Sequence, residues 1–247
     1  MFSVEERDAL RDRVLRLAEE DARVVAGAAV GSLAVDAGDR YSDLDLTFGV
    51  AAGVPIVTVL DEWGRMLAEE LDAVHLADLG RGPTTYRVFL LPNALQFDLS
   101  MTPAAEFHPA GPRFRLLFGE TVGDATEPTP PDVGDLFGWG VIYALHARAC
   151  MERGRVWQGE HYIGAVRDHA LSLACLREGQ RADQARGYDD LSAETLARFE
   201  DVHVGALEPD ALQIALAASV RELVREGFDA RLPHADVVAQ RLAALSG

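Results

Sequence analysis

Two aspartates separated by one residue, Asp43 and Asp45, follow a Gly-Ser pair, Gly31 and Ser32, near the start of the chain. Residues two apart in a β-strand point to the same face, so the two carboxylates are expected to lie side by side. Like charges this close repel each other, and Mg²⁺ held together with substrate phosphates is the usual compensation. Gly31 lets the backbone approach a phosphate, and Ser32 supplies a hydroxyl donor. The alternative interpretation is a solvated strand face after an ordinary turn.

A third carboxylate, Asp98, lies in a predicted strand over Leu95–Met101, where Gln96 and Ser100 share its face. A carboxylate in an otherwise apolar strand is unusual unless the strand is at a sheet edge or the group binds something. Asp98 is therefore a candidate site residue. The alternative is that it is a surface strand residue.

The segment Tyr41–Leu46, preceded by Gly31-Ser32, resembles the signature of the nucleotidyltransferase (polymerase β-like) superfamily. Its Tyr-Ser-Asp-Leu-Asp form is similar to that of bacterial aminoglycoside and other antibiotic nucleotidyltransferases. The signature covers a small part of the chain. The element order fits the family over roughly the first half, and the fit of the second half is looser.

This resemblance implies Mg²⁺-dependent transfer of a nucleoside monophosphate, with ATP or another NTP as donor, to a hydroxyl of a small acceptor. Asp43 and Asp45 would hold the metal, with two Mg²⁺ ions expected. Asp98 would bind the second ion or act as general base on the acceptor, and both roles stay open. Gly31 and Ser32 would hold the β- and γ-phosphates.

The chain has 247 residues and 49% hydrophobic residues, which suits one large or two small domains with a real core. Its net charge of −17 argues against a nucleic-acid partner. It favours a small cationic acceptor, although a solvated acidic surface gives the same composition. Together with the resemblance, it suggests an acceptor such as an aminoglycoside bound between the two domains. The chain contains no lysine, so any side-chain cation that contacts phosphate is arginine or histidine.

Arginines can bind phosphate through two hydrogen bonds at once. Arg40, just before the aspartate pair, is a candidate for such a contact, and Arg148, Arg153 and Arg155 are others. In a predicted helix over Glu160–Glu178, Glu160 and Arg167 share a face and are candidate acceptor contacts. The alternative is a solvated face with a Glu–Arg pair.

Cys150 and Cys175 lie in helical patterns and are interpreted as core residues in a reducing cytosol. The N-terminus is charged from Glu5 onward, and no apolar run is long enough to span a bilayer. We therefore expect a cytoplasmic protein without a membrane partner. Trp139, Tyr143 and Trp157 are predicted to lie in the core of a helical bundle rather than to form a stacking platform.

Hydrophobic periodicity predicts an α+β fold, with strands and helices in the first half and a C-terminal helical bundle in the second. The resemblance implies that the first half is a nucleotidyltransferase domain with a mixed β-sheet flanked by helices. The predicted limits are 1–125 for the catalytic domain and 132–247 for the helical, substrate-binding domain, with a linker over Gly123–Gly134. Two alternatives remain: an enzyme that AMPylates a partner protein, as in toxin–antitoxin systems, and an inactive nucleotide-binding module. The acceptor, the preferred NTP and the oligomeric state stay open.

Overall fold

The structure is a computed structural model that describes residues 2–126 and 129–243. The chain divides into two compact units, Met1–Pro128 and Thr129–Gly247, and each is described by itself. The predicted α+β class is confirmed, with a mixed sheet in the first unit and helices in the second. Compactness does not show that a unit folds alone, so the domain limits 1–125 and 132–247 stay a prediction.

The first unit contains a six-stranded sheet in the order β3-β4-β5-β2-β1-β6. The strands are β1 (Val24–Val30), β2 (Leu44–Val50), β3 (Val74–Arg81), β4 (Thr84–Leu90), β5 (Gln96–Pro103) and β6 (Phe114–Phe118). Strands β2 and β5 are parallel, and every other neighbouring pair is antiparallel. A parallel pair requires a crossover connection, and here the chain between β2 and β5 supplies a helix and a hairpin.

Two helices accompany this sheet, α1 (Val4–Glu20) and α2 (Ile56–Leu71). The first begins with a capping box: the Glu6 N–H donates to Ser3 Oγ at 3.2 Å, and the Ser3 N–H donates to Glu6 Oε2 at 2.7 Å. Short 3₁₀ helices cover Leu33–Val35 and Ala104–Glu106.

The alternation of side chains along β2 separates the core from the candidate site. Leu44, Leu46 and Phe48 are fully buried in the cluster that contains the inner faces of α1 and α2. The Phe48 ring meets the α2 residue Trp63 edge-on, with ring centroids 5.4 Å apart. Since successive strand residues point to opposite faces, Asp45 points away from these helices.

The second unit is helical, as predicted. Its helices are α3 (Val133–Glu152), α4 (Val156–Arg177), α5 (Ala193–Arg198), α6 (Pro209–Asp229) and α7 (Ala235–Leu242), with 3₁₀ helices at Asp183–Ala185 and Glu200–Val202. Helices α3, α4 and α6 pack against one another around an apolar core. The predicted last helix extended to Leu245, which lies outside the described residues. Among the residues that are described, no helix is both long and apolar enough to cross a membrane.

Trp139 and Trp157 are 52% and 73% exposed, so the prediction that they belong to the bundle core is wrong, whereas Tyr143 is partly buried and packs against that core. Small residues occupy the buried helix faces instead. A Cβ on Gly140 would lie 2.6 Å from Leu223 Cδ1, and Ala144 is fully buried. Helices that approach this closely leave no room for an indole between them.

A charged cluster joins the end of α1 to α2. The Asp21 carboxylate accepts hydrogen bonds from Arg23 Nε at 2.9 Å and Nη2 at 2.8 Å, and from Trp63 Nε1 at 3.0 Å. Its side chain is only 11% exposed. The Arg23 hydrogen bonds are the main cause that lowers the pKa of Asp21 to about 2, against the opposing effect of burial.

Asp21→Asn is expected to reduce the free energy of unfolding by about 2 kcal/mol above pH 4. The folded-state pKa is depressed, so this stability is fully present above the unfolded pKa of 3.8 and is lost as the pH falls through about 2. Urea unfolding of both proteins between pH 5 and pH 2 should therefore show the difference shrinking. As a control, Asp124→Asn, at an exposed position, should change stability at pH 5 by less than about 0.5 kcal/mol. A difference that stays constant with pH would contradict this account.

Candidate active site

Three carboxylates of the first unit come together: Asp43, Asp45 and Asp98 each offer an oxygen, and these oxygens all lie within 4.8 Å of one another. All three residues are partly exposed. Within residues 2–126 and 129–243, no other three histidine, cysteine or acidic side chains converge in this way. The structure thus brings the three sequence-predicted carboxylates into one cluster.

Strand register explains the cluster. Asp45 and Asp98 are Cα partners in the parallel β2–β5 pair, so their side chains lie side by side on the same face of the sheet. Asp43 is two residues before Asp45 and one residue before β2 begins, rather than inside the strand as predicted. The site is therefore assembled by the two-residue spacing of Asp43 and Asp45 and by the pairing of β2 with β5, which are far apart in the sequence.

The carboxylates influence one another. Burial is the main cause that raises the pKa of Asp98, and the nearby Asp43 carboxylate raises it further. Gln96 opposes this, since its Nε2 donates to both Asp98 oxygens at 3.0 and 3.1 Å. A half-buried set of oxygen donors in mutual repulsion is the kind of ligand set that a hard divalent cation stabilises.

Gly31 lies against this cluster. Its φ of 72° is in the left-handed region, and a Cβ there would lie 2.5 Å from Asp45 Oδ2. Its N–H donates to the Arg113 carbonyl at 3.2 Å, so this amide is already engaged within the protein. In the structure, Gly31 makes room for the Asp45 carboxylate.

Ser32 follows this turn and starts the 3₁₀ helix Leu33–Val35. Its carbonyl accepts from the Ala37 N–H at 3.1 Å, and its hydroxyl makes no capping hydrogen bond to that helix. Arg115 fixes the turn from outside, because its Nη2 donates to the Leu33 carbonyl at 2.9 Å. Backbone hydrogen bonds therefore hold Ser32 in place, next to Gly31, which makes room for the Asp45 carboxylate.

The segment just before Asp43 is anchored by Arg7, which sequence reasoning missed. Arg7 is 3% exposed, and its Nη1 donates to the carbonyls of Asp39 at 2.6 Å and Ser42 at 3.2 Å. Asp39 Oδ1 accepts from the Tyr41 N–H at 2.8 Å and the Ser42 hydroxyl at 3.0 Å. The Tyr41 N–H is the main cause that lowers the pKa of Asp39. The available signal was an arginine on the apolar face of α1.

The remaining predicted contacts lie elsewhere. The Arg40 guanidinium lies over the Tyr41 ring, 4.7 Å from its centroid. Glu160 and Arg167 lie on α4 in the second unit. Arg167 pairs with Asp168 at 2.9 Å, and its Nη2 lies 3.6 Å from where a Cβ of Gly164 would be. The Arg167 guanidinium therefore partly fills the space that Gly164 leaves on this face of α4.

No model of a known protein family matches this chain, and no curated protein matches it either. Among solved structures, the chain is similar to an aminoglycoside 6-adenyltransferase from Bacillus subtilis, with 10% sequence identity and a TM-score of 0.40. The match covers 95% of this chain and 96% of the other. A similarity at this level says nothing about activity.

Gly31→Ala is expected to weaken binding of a divalent cation, because the new methyl group would displace the Asp45 carboxylate. Gly53→Ala is a matched control: Gly53 also has a positive φ, of 80°, but a Cβ there meets nothing within 4 Å. Both variants should lose about 1–2 kcal/mol of stability from backbone strain. Only Gly31→Ala should reduce Mn²⁺ binding, measured as free Mn²⁺ by electron paramagnetic resonance. Equal Mn²⁺ binding by both variants would overturn this role for Gly31.

Arg7→Met keeps an unbranched, largely aliphatic stem but removes the donors to the segment before Asp43. We expect unfolding in urea to show a loss of about 1–3 kcal/mol, the usual cost of losing hydrogen bonds from a charged group. Mn²⁺ binding should also weaken, since Asp43 loses its anchor. Arg11→Met, on the same helix but in exposed ion pairs with Asp8 and Asp12, is the control and should change little. If the two variants behave alike, Arg7 does not position the site.

Proposed function

We propose that this protein is a Mg²⁺-dependent nucleotidyltransferase that transfers a nucleoside monophosphate, AMP from ATP, to a hydroxyl of a small cationic acceptor. The observation that carries the proposal is the cluster of Asp43, Asp45 and Asp98 beside the tight turn at Gly31. A cytoplasmic location is part of the proposal, because ATP is the proposed donor.

Under this proposal, Asp43 and Asp45 hold the metal, and Asp98 either completes the metal ligands or accepts the proton of the attacking hydroxyl. The donor set suits Mg²⁺, because all three groups are carboxylates and Mg²⁺ prefers oxygen ligands. When bound, the metal would neutralise charge on the phosphates and on the leaving oxygen. Two ions are proposed, as the shared cluster of three carboxylates would allow.

The reaction balances without a further reactant. The acceptor oxygen forms a bond to the α-phosphorus, the bond from that phosphorus to the bridging oxygen breaks, and pyrophosphate leaves. The hydroxyl proton passes to Asp98 or to water. Ser32 would donate its hydroxyl to the β- or γ-phosphate, supported by its fixed backbone beside the Gly31 turn. Arg40, whose side chain is at the surface, would supply a positive charge to the same phosphates.

The acceptor class rests on charge. The chain carries 40 acidic residues against 23 arginines, and such an excess attracts polycations and steers their arrival. Glu160 and Arg167 are proposed as acceptor contacts. Since salt screens these attractions, the apparent KM for an aminoglycoside should rise with ionic strength.

Asp45→Asn is expected to abolish nucleotidyl transfer, because it removes a charge from the metal site at almost constant shape. The assay combines labelled NTPs, Mg²⁺ and a panel of aminoglycosides, neutral hydroxyl compounds and proteins, with pyrophosphate release as readout. Asp124→Asn, an exposed carboxylate outside the cluster, is the control and should retain activity. A second readout is the thermal stabilisation by Mg²⁺, which Asp45→Asn should lose.

Asp98→Asn separates the two roles of that residue. Loss of Mg²⁺-dependent NTP binding indicates a metal ligand, whereas intact binding with turnover lowered about 10²–10⁴-fold indicates a general base.

Full activity in Asp45→Asn would overturn the assignment of the metal site to the carboxylate cluster. Modification of proteins while aminoglycosides are ignored would favour AMPylation. NTP binding without transfer to any acceptor would favour an inactive module.

A further inference from the structure

The second unit contains a cavity of about 200 Å³ at the corner where α3 ends and α4 begins. The polar side chains that line it are His146, Arg153, Arg155, Gln158 and Tyr162. All of them belong to the second unit. None of the lining residues is acidic, in a chain where acidic residues outnumber arginines by 40 to 23.

The two arginines of this cavity differ from their neighbours in how they are paired. Arg148 on α3 pairs with Glu152 at 2.6 Å, as is common for arginines of this chain. Within the part of the chain that the structure describes, neither Arg153 nor Arg155 forms an ion pair with a carboxylate. The polar contact of Arg155 is a long one, from Nη1 to Gln158 Oε1 at 3.5 Å. Both arginine side chains are exposed, so the cavity is a solvent-open, positively charged depression in which neither guanidinium has a carboxylate partner among the described residues.

The backbone holds both arginines in place. Arg153 caps α3, and Gly154 reverses the chain with a φ of 67°. The Arg155 N–H then donates to the Cys150 carbonyl at 2.9 Å, and α4 begins at the next residue. The first N–H groups of α4 have no acceptor inside the helix and add to the positive potential of the corner. Little backbone entropy remains to be lost when a ligand binds here.

Two ring-bearing side chains also line the cavity. The His146 and Tyr162 rings meet edge to face, with centroids 5.1 Å apart and an interplanar angle of 74°. Together with Gln158, these side chains add N–H and O–H donors to the lining of the cavity. Arginine binds oxyanions through paired hydrogen bonds, a geometry that phosphate matches.

We propose that this cavity binds a phosphate-type oxyanion, either free inorganic phosphate or the phosphate group of a phosphomonoester. The assignment is independent of the carboxylate cluster in the first unit and of the proposed nucleotidyl transfer. It needs no metal, because the charge is supplied by Arg153 and Arg155.

The test titrates inorganic phosphate into the ¹⁵N-labelled full-length chain at constant ionic strength with EDTA present. Saturable shifts of the backbone amides around Arg153–Gln158 are expected. Arg153→Gln and Arg155→Gln should each weaken binding about tenfold or more, and the double variant should show no saturation. Arg225→Gln removes an exposed arginine of α6 that does not line the cavity, so it is the matched control and should bind like the unchanged protein.

A parallel titration with AMP distinguishes the two sources of phosphate. Tighter binding of AMP than of inorganic phosphate, weakened by Tyr162→Leu, indicates a phosphomonoester, whereas equal binding indicates the free ion. Both results support the site. Shifts that do not saturate, or that persist in the double arginine variant, would overturn it. The titration is repeated with Mg²⁺ in place of EDTA: binding that appears only with Mg²⁺ and is lost in Asp45→Asn would place the phosphate at the carboxylate cluster and also overturn the site, without bearing on whether transfer occurs.

Discussion

The parallel pairing of β2 with β5 is the constraint on which the first unit depends. It sets Asp45 directly beside Asp98 on one face of the sheet and the fully buried Leu46 beside Leu99 on the other. The same register therefore builds the core under the helices and the acidic cluster opposite it. A shift of the strand register by one residue would expose the leucines and bury the carboxylates. The free-energy cost of that shift therefore also keeps the carboxylates of the candidate site in place.

Around this pair, the protein uses arginine to fix backbone as well as to balance charge. Arg7 donates to two carbonyls before Asp43, and Arg115 donates to the carbonyl of Leu33 after the Gly31 turn. Both segments that flank the cluster are thus held by guanidinium groups outside it. The carboxylates themselves remain partly exposed, which leaves them open to a ligand.

Local patterns allowed much of this to be predicted. The α+β class, with strands in the first half of the chain and helices in the second, follows from periodicity and turn residues and was confirmed. The parallel partner of β2 could not be read from sequence, because strand pairing depends on contacts far apart in the chain. Arg7 was missed because a single charged residue on an apolar helix face is read as an exception to the hydrophobic pattern and not as a residue that holds a neighbouring segment. Trp139 and Trp157 were misplaced because hydrophobicity does not show how closely two helices approach.

The crossover between β2 and β5 also has a consequence for the order of folding. A whole helix and a hairpin separate the two strands in the sequence, so the loop that their pairing closes is long. Contacts of this kind form slowly. The local part of the site, Asp43 with Asp45, can form early, whereas Asp98 joins only when the central pairing is complete. A cation that needs all three carboxylates would then bind after the rate-limiting step, and it would slow unfolding more than it speeds folding.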